Sequence, residues 1–210
     1  ILALQPDQGN VQTGELDILE SIIDRYINEI TGEFKPKMYL FARRVLNVVF
    51  NRLLNAASGK HLRKIWNPEY QLEDRVQIQG PIAKIRKLSK NCTLVLLPTH
   101  FSNLDSILIG YALDQIGLPA FMYGAGLNLF NNRILSHFMS NLGAYKLDRR
   151  KKNPIYLQVL KSFSAVALSR GSHGLFFPGG TRSRSGGLES QLKLGLLGTA
   201  FEAQRNNLKK

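Results

Sequence analysis

A single cysteine, Cys92, stands in 210 residues, so neither an internal disulfide framework nor a cysteine-based metal cage is available. His61, His137 and His173 show no metal-ligand spacing with one another or with Cys92, and no metal is expected. No run of about 18 apolar residues occurs, so no segment is expected to span a bilayer, and membrane contact must be peripheral. A Gly-x-Ser-x-Gly elbow is missing, which disfavours a serine hydrolase. Acidic residues are scarce: 15 Asp and Glu against 28 Lys and Arg, a formal charge of +13. Such a surface attracts phosphate on lipid headgroups, nucleic acid or small substrates. The aromatic residues do not interleave with the basic ones as stacking platforms do, so no nucleic acid partner is expected.

What is present is enough for a core. The apolar fraction is 44%, ordinary for a globular domain. Ile1 in place of Met, and the uninformative end Asn206–Lys210, suggest a fragment, so the presence or absence of a native targeting signal is not read from it. Cys92 lies beside the apolar run Leu94–Leu97 and is expected to be a buried, inert thiol.

The apolar spacing from Glu15 to Ile30 predicts a helix, with Thr13 as a possible cap and Gly32 as a stop. A second predicted helix follows Pro36 and ends at Ser58-Gly59; its broad apolar surface suits packing on the main domain or lying on lipid. Val76–Gln79 alternates like a short strand, and Ile82–Leu88 reads as a basic helix. Thr93–Leu97 has the look of a buried parallel strand. Helices are then predicted at Ser106–Ile116, Asn132–Leu142, Ile155–Arg170 and Leu192–Arg205, and strands at Ala120–Tyr123, Ala144–Leu147 and Gly174–Phe177. This alternation predicts an α/β fold, a mixed, largely parallel sheet covered by helices. The division expected is an N-terminal helical region at 1–70 and an α/β domain at 71–210, truncated at its C-terminal end.

Three segments carry candidate chemistry. Thr99-His100-Phe101-Ser102-Asn103-Leu104-Asp105 follows the predicted strand directly, where open α/β sheets bind ligands. A histidine there can accept a proton near neutral pH, and a carboxylate can hold its ring. In one continuous helix, positions five apart differ by about 140°. The pair therefore meets only if His100 lies in the loop and Asp105 in the first helical turn. The same residues also fit a plain helix start, with Asp105 favouring the dipole. The second segment, Phe176–Gly187, offers glycines for close backbone approach and Arg182 and Arg184 to clamp a phosphate. It lacks the Lys of a Walker A loop, and a solvated basic loop explains it equally well. The third, Gly143–Arg150 with Lys151 and Lys152, reads by itself as a solvated charged face; Lys193 and Gly195 add another possible phosphate contact.

In order and separation, these segments resemble the glycerophospholipid acyltransferase family. His100 to Asp105 resembles its His-four-residues-Asp block, Gly143 to Arg149 its Gly-Arg block, and Phe177 to Arg184 its Phe-Pro-Glu-Gly-Thr-Arg block; Lys193-Leu194-Gly195 resembles a Lys-x-Gly that often follows. The resemblance covers roughly residues 76–205 and leans toward the glycerol-3-phosphate branch. One departure is clear: Gly179 replaces the acid that helps position the acceptor or its loop.

The resemblance implies acyl transfer from acyl-CoA or acyl carrier protein to a hydroxyl of glycerol 3-phosphate. A lysolipid acceptor such as 1-acylglycerol 3-phosphate, or an inactive lipid-binding relative, is the alternative. It implies His100 as general base and Asp105 as its partner. Arg149, Gly180, Thr181, Arg182, Arg184 and Lys193 would bind substrate. No cofactor is implied, since the acyl thioester is itself a substrate, and the expected location is peripheral, on the cytoplasmic face of a membrane.

Overall fold

The computed structural model describes residues 8–31, 35–41, 44, 45, 48, 76–102, 105–130, 143–180, 187 and 191–207. Four strands form one sheet: β1 (Val95–Leu96), β2 (Met122–Gly126), β3 (Ala144–Leu147) and β4 (Gly174–Leu175), in the spatial order β1-β4-β2-β3. The expected sheet was mixed and largely parallel; every pairing among the described strands is parallel. Val95 lies opposite Gly174, Tyr123 opposite Leu175, and Gly126 opposite Leu147. Parallel neighbours need long crossovers. Helix α3 (Asp105–Gln115) lies on the path from β1 to β2, and α4 (Pro154–Ser169) on the path from β3 to β4. Helices α1 (Gln8–Ile30) and α2 (Ile82–Asn91) precede the sheet, and α5 (Gly198–Asn207) follows it. The chain is α/β, with helical cover.

Helix α4 is the best specified of these. Asn153 caps it, its side chain accepting from the N–H groups of Ile155 and Tyr156, and Pro154 begins it where no N–H is needed. Its inner face buries Tyr156, Val159, Leu160, Ser164, Ala165 and Leu168. Tyr156, Val159 and Leu160 share a cluster with Ile30 of α1 and Tyr145 of β3. A second cluster joins Leu113, Ile116, Leu118 and Phe121 to Leu175 of β4. Burial of this kind contributes roughly 1.5–3 kcal/mol per large apolar side chain. Gly143, just before β3, has φ +89°, and a Cβ there would meet the Phe121 carbonyl oxygen at 3.0 Å, so glycine is required twice over.

Several expected boundaries move. Helix α1 begins at Gln8, so Thr13 lies inside it; no proline interrupts residues 8–13 to stop the helix extending through them. Val76–Gln79 is not a strand. Its alternation arises because Ile78 packs with Ile82 and Ile85 on the Phe121 cluster while Gln77 and Gln79 face solvent. Strand β2 starts at Met122, whose N–H bonds the His173 carbonyl. Strand β4 stops at Leu175, and α5 starts at Gly198 instead of Leu192. Cys92 is exposed, not buried, because it is the C-cap residue of α2, ahead of the strand. The helix expected after Pro36 is described at 36–41, 44, 45 and 48; its continuation to Ser58-Gly59 and the helix at Asn132–Leu142 lie outside the described residues.

Candidate active site

All four strands run the same way, so the segments that leave their C-terminal ends emerge along one edge of the sheet. Two of them meet because β1 and β4 are neighbours. After β1, His100 lies in the loop and Asp105 is the first residue of α3, the arrangement in which residues five apart can touch. His100 Nδ1 is 3.0 Å from Asp105 Oδ2. The same oxygen accepts the N–H groups of Phe101 and Ser102, each at 2.7 Å. The carboxylate thus holds the loop as well as the ring. After β4, the Phe177 ring lies against the His100 ring, centroids 4.2 Å apart and planes tilted by 32°.

Burial pushes the Asp105 carboxyl up, but the Ser102 N–H, the hydrogen bond to the His100 ring, the Phe101 N–H and the electrostatic attraction of that ring outweigh it and hold it below its ordinary value. An ionised Asp105 can only accept, so Nδ1 carries the proton in this pair. Proton acceptance then falls to Nε2.

The cationic side is built on the same loop after β4. Gly180 adopts φ +67°, and its N–H bonds the Phe177 carbonyl at 3.0 Å. Its own carbonyl accepts Arg149 Nη1 at 2.6 Å. A Cβ at Gly180 would lie 2.7 Å from Lys193 Cδ, and Lys193 N–H bonds the Pro178 carbonyl at 2.6 Å. Three of the six expected substrate-side positions are described: Arg149, Gly180 and Lys193 converge, and His100 reaches them through Phe177. Thr181, Arg182 and Arg184 lie outside the described residues.

Arg149 is exposed, on the loop after β3. The base of that loop is fixed by Asp148, whose N–H donates to the buried Tyr156 hydroxyl at 2.9 Å and whose carboxylate accepts the Arg150 N–H at 3.0 Å. The Arg150 backbone bond holds the Asp148 carboxyl below its ordinary value; burial opposes this, and the Arg150 side chain and the Lys151 charge add to it.

Four participants are not evident in the sequence. Phe177 stands out in the sequence only as part of the Phe-Pro block, though an aromatic two residues past a buried strand is the available signal. The Phe101 and Ser102 N–H groups left no signal in side-chain chemistry. Lys151, taken with its neighbours as a solvated face, is half-buried against Glu29. His173, which showed no ligand spacing, accepts the Leu94 N–H on Nδ1 at 3.1 Å, and burial lowers its pKa. Among the described residues no His, Cys, Asp and Glu cluster is suited to a metal, and no helix is long and apolar enough to cross a membrane.

A family model described as Acyltransferase matches residues 79–206. A glycerol-3-phosphate acyltransferase from Pseudomonas paraeruginosa (strain DSM 24068 / PA7) is 27% identical over 168 residues, 80% of this chain and 18% of that protein. One from Pseudoalteromonas atlantica is 25% identical over 166 residues, 78% of this chain and 18% of that protein. The chain thus spans under a fifth of the length of these curated relatives. Among solved structures, the 1-acyl-sn-glycerophosphate (LPA) acyltransferase from Thermotoga maritima aligns over 77% of this chain and 71% of that one, at 17% identity and a TM-score of 0.40.

Proposed function

The chain belongs to the acyltransferase family, and on that premise we propose that it carries the site that moves a fatty acyl group from an acyl thioester, acyl-CoA or acyl carrier protein, to a hydroxyl of glycerol 3-phosphate. The observation that supports this reading is one edge of a parallel sheet that holds a carboxylate-bound histidine beside cationic side chains. The name glycerol-3-phosphate acyltransferase, borne by the curated relatives, supports the choice of acceptor.

The step balances without an acyl-enzyme. His100 Nε2 takes the proton of the acceptor hydroxyl as its oxygen attacks the thioester carbonyl. The tetrahedral adduct collapses, the C–S bond breaks, and the thiolate takes the proton from the imidazolium. Asp105 holds the ring in the tautomer that leaves Nε2 basic and offsets the charge that develops on it. Arg149 and Lys193, with Arg182 and Arg184, bind the acceptor phosphate. Arg149 spends one donor on the Gly180 carbonyl and has others to offer. Gly180 and Thr181 bring the loop backbone close. No cofactor takes part, and the protein works as a peripheral protein at the cytoplasmic face of a membrane.

General-base action is worth roughly 10²–10⁴-fold. His100→Ala is expected to lose that much turnover with palmitoyl-CoA and glycerol 3-phosphate, with an unchanged circular dichroism spectrum. Retained turnover in a folded variant removes His100 from the mechanism. A preference for 1-acylglycerol 3-phosphate over glycerol 3-phosphate in the same assay reassigns the acceptor.

A further inference from the structure

Helix α1 reaches the Arg149 loop through an ion pair that spans 122 residues of sequence. Lys151 Nζ lies 2.6 and 2.5 Å from the two carboxylate oxygens of Glu29. The ammonium also lies 5.2 Å from the ring centroids of both Tyr26 and Tyr156, and those rings meet edge to face at 5.3 Å. The Lys151 and Glu29 side chains are 33% and 27% exposed, whereas Arg150, next in the loop, is 86% exposed. The Glu29–Lys151 pair is therefore partly shielded from solvent and less screened than a surface pair. Ile30, adjacent to Glu29, is fully buried, so the end of α1 that presents the carboxylate is itself anchored.

These contacts bracket Arg149. On one side Asp148 hangs from the Tyr156 hydroxyl; on the other Lys151 is clamped by Glu29 and the two tyrosine rings. Tyr156 serves both ends, with its hydroxyl to Asp148 and its ring face to Lys151. Two residues fixed on either side of Arg149 leave its backbone little freedom, and its guanidinium falls on the Gly180 carbonyl.

We infer that Glu29 and Lys151 are positioning residues: α1 uses them to set the Arg149 loop, and so the grip on the acceptor's phosphate. This rests on the reading of Arg149 as an acceptor contact. It makes α1 part of the binding apparatus of the α/β domain, not an appendage to it.

The test is a double-mutant cycle in the intact protein, read as KM for glycerol 3-phosphate and kcat separately. Glu29→Gln keeps the shape and removes the charge. It is expected to raise the acceptor KM roughly three- to tenfold, less than a lost charged hydrogen bond would, with kcat and the KM for palmitoyl-CoA unchanged. Lys151→Met should do the same, and Lys151→Arg, which keeps charge and ring contact, should restore most of the affinity. In an Arg149→Ala background, Glu29→Gln should add nothing. If Glu29→Gln leaves the acceptor KM alone, or multiplies its effect onto that of Arg149→Ala, the positioning role is overturned while the site reading stands. If Arg149→Ala itself leaves the acceptor KM unchanged, the site reading fails, and the positioning role with it. A thermal melt of each variant identifies one that fails to fold; in that case Lys151→Met against Lys151→Arg carries the test.

Discussion

Asp105 Oδ2 receives one side-chain and two backbone donors, and this concentration decides how the residue titrates. Its folded pKa is depressed, so the unfolded chain binds the proton more readily. The stability it contributes is full above the unfolded carboxylate value, about 3.9, and is lost as pH falls through the lower folded value. Asp105→Asn is therefore expected to flatten stability against pH in that acid window, measured as the urea midpoint from pH 6 downward. Parallel curves for the two proteins would show that the carboxylate is not held as described. The same variant should also lower turnover, because an amide can present its N–H to Nδ1 and turn the ring to the wrong tautomer. The neutral reading of this segment as a helix start is compatible with the functional one. One carboxylate at the first position of α3 serves both.

Helix α4 joins its own cap to the loop that carries Arg149. Asn153 ends that loop and begins the helix, so cap and loop share residues. Asn153→Ala is expected to cost about 0.5–2 kcal/mol in a denaturant titration, with a rise in acceptor KM if the loop loosens with the helix start. No loss of stability would mean that the Ile155 and Tyr156 N–H groups are satisfied without the cap. The elements read most accurately from sequence were those with strong local signals. The spacing at Ile155–Arg170 came from apolar periodicity, and observed α4 differs by one residue at each end. Strand β3 appears at Ala144–Leu147 as expected. The misreadings fell where tertiary contacts set the boundary. Residues 192–197 have the composition of a helix, but the Lys193 N–H is engaged by the Pro178 carbonyl, and α5 waits until Gly198.

At the scale of the molecule, the formal charge of +13 is expected to favour anionic surfaces. Helix α2 shows the pattern locally: Lys84, Arg86, Lys87 and Lys90 are exposed and no acidic residue lies among them, while Ile82 and Ile85 pack inward. Peripheral binding carried by this charge should be strong on vesicles with anionic lipid at low salt. It should fall steeply once the Debye length shrinks to about 3 Å near 1 M salt. Cosedimentation with phosphatidylcholine vesicles, with and without phosphatidylglycerol, measures it. Binding that ignores both salt and headgroup charge would leave the electrostatic account without support.

The sequence was sufficient for the class of fold, the order of most elements and a set of candidate residues, because those follow from local periodicity, turn residues and motif spacing. It did not determine which loops would meet. That His100 stacks on Phe177 follows from β1 and β4 being neighbours, and that Lys151 is a clamp and not a solvated charge follows from Glu29 arriving from 122 residues away. Such contacts are settled by strand order and by which helix fills a given side of the sheet, and neither quantity is encoded in any window of sequence short enough to read.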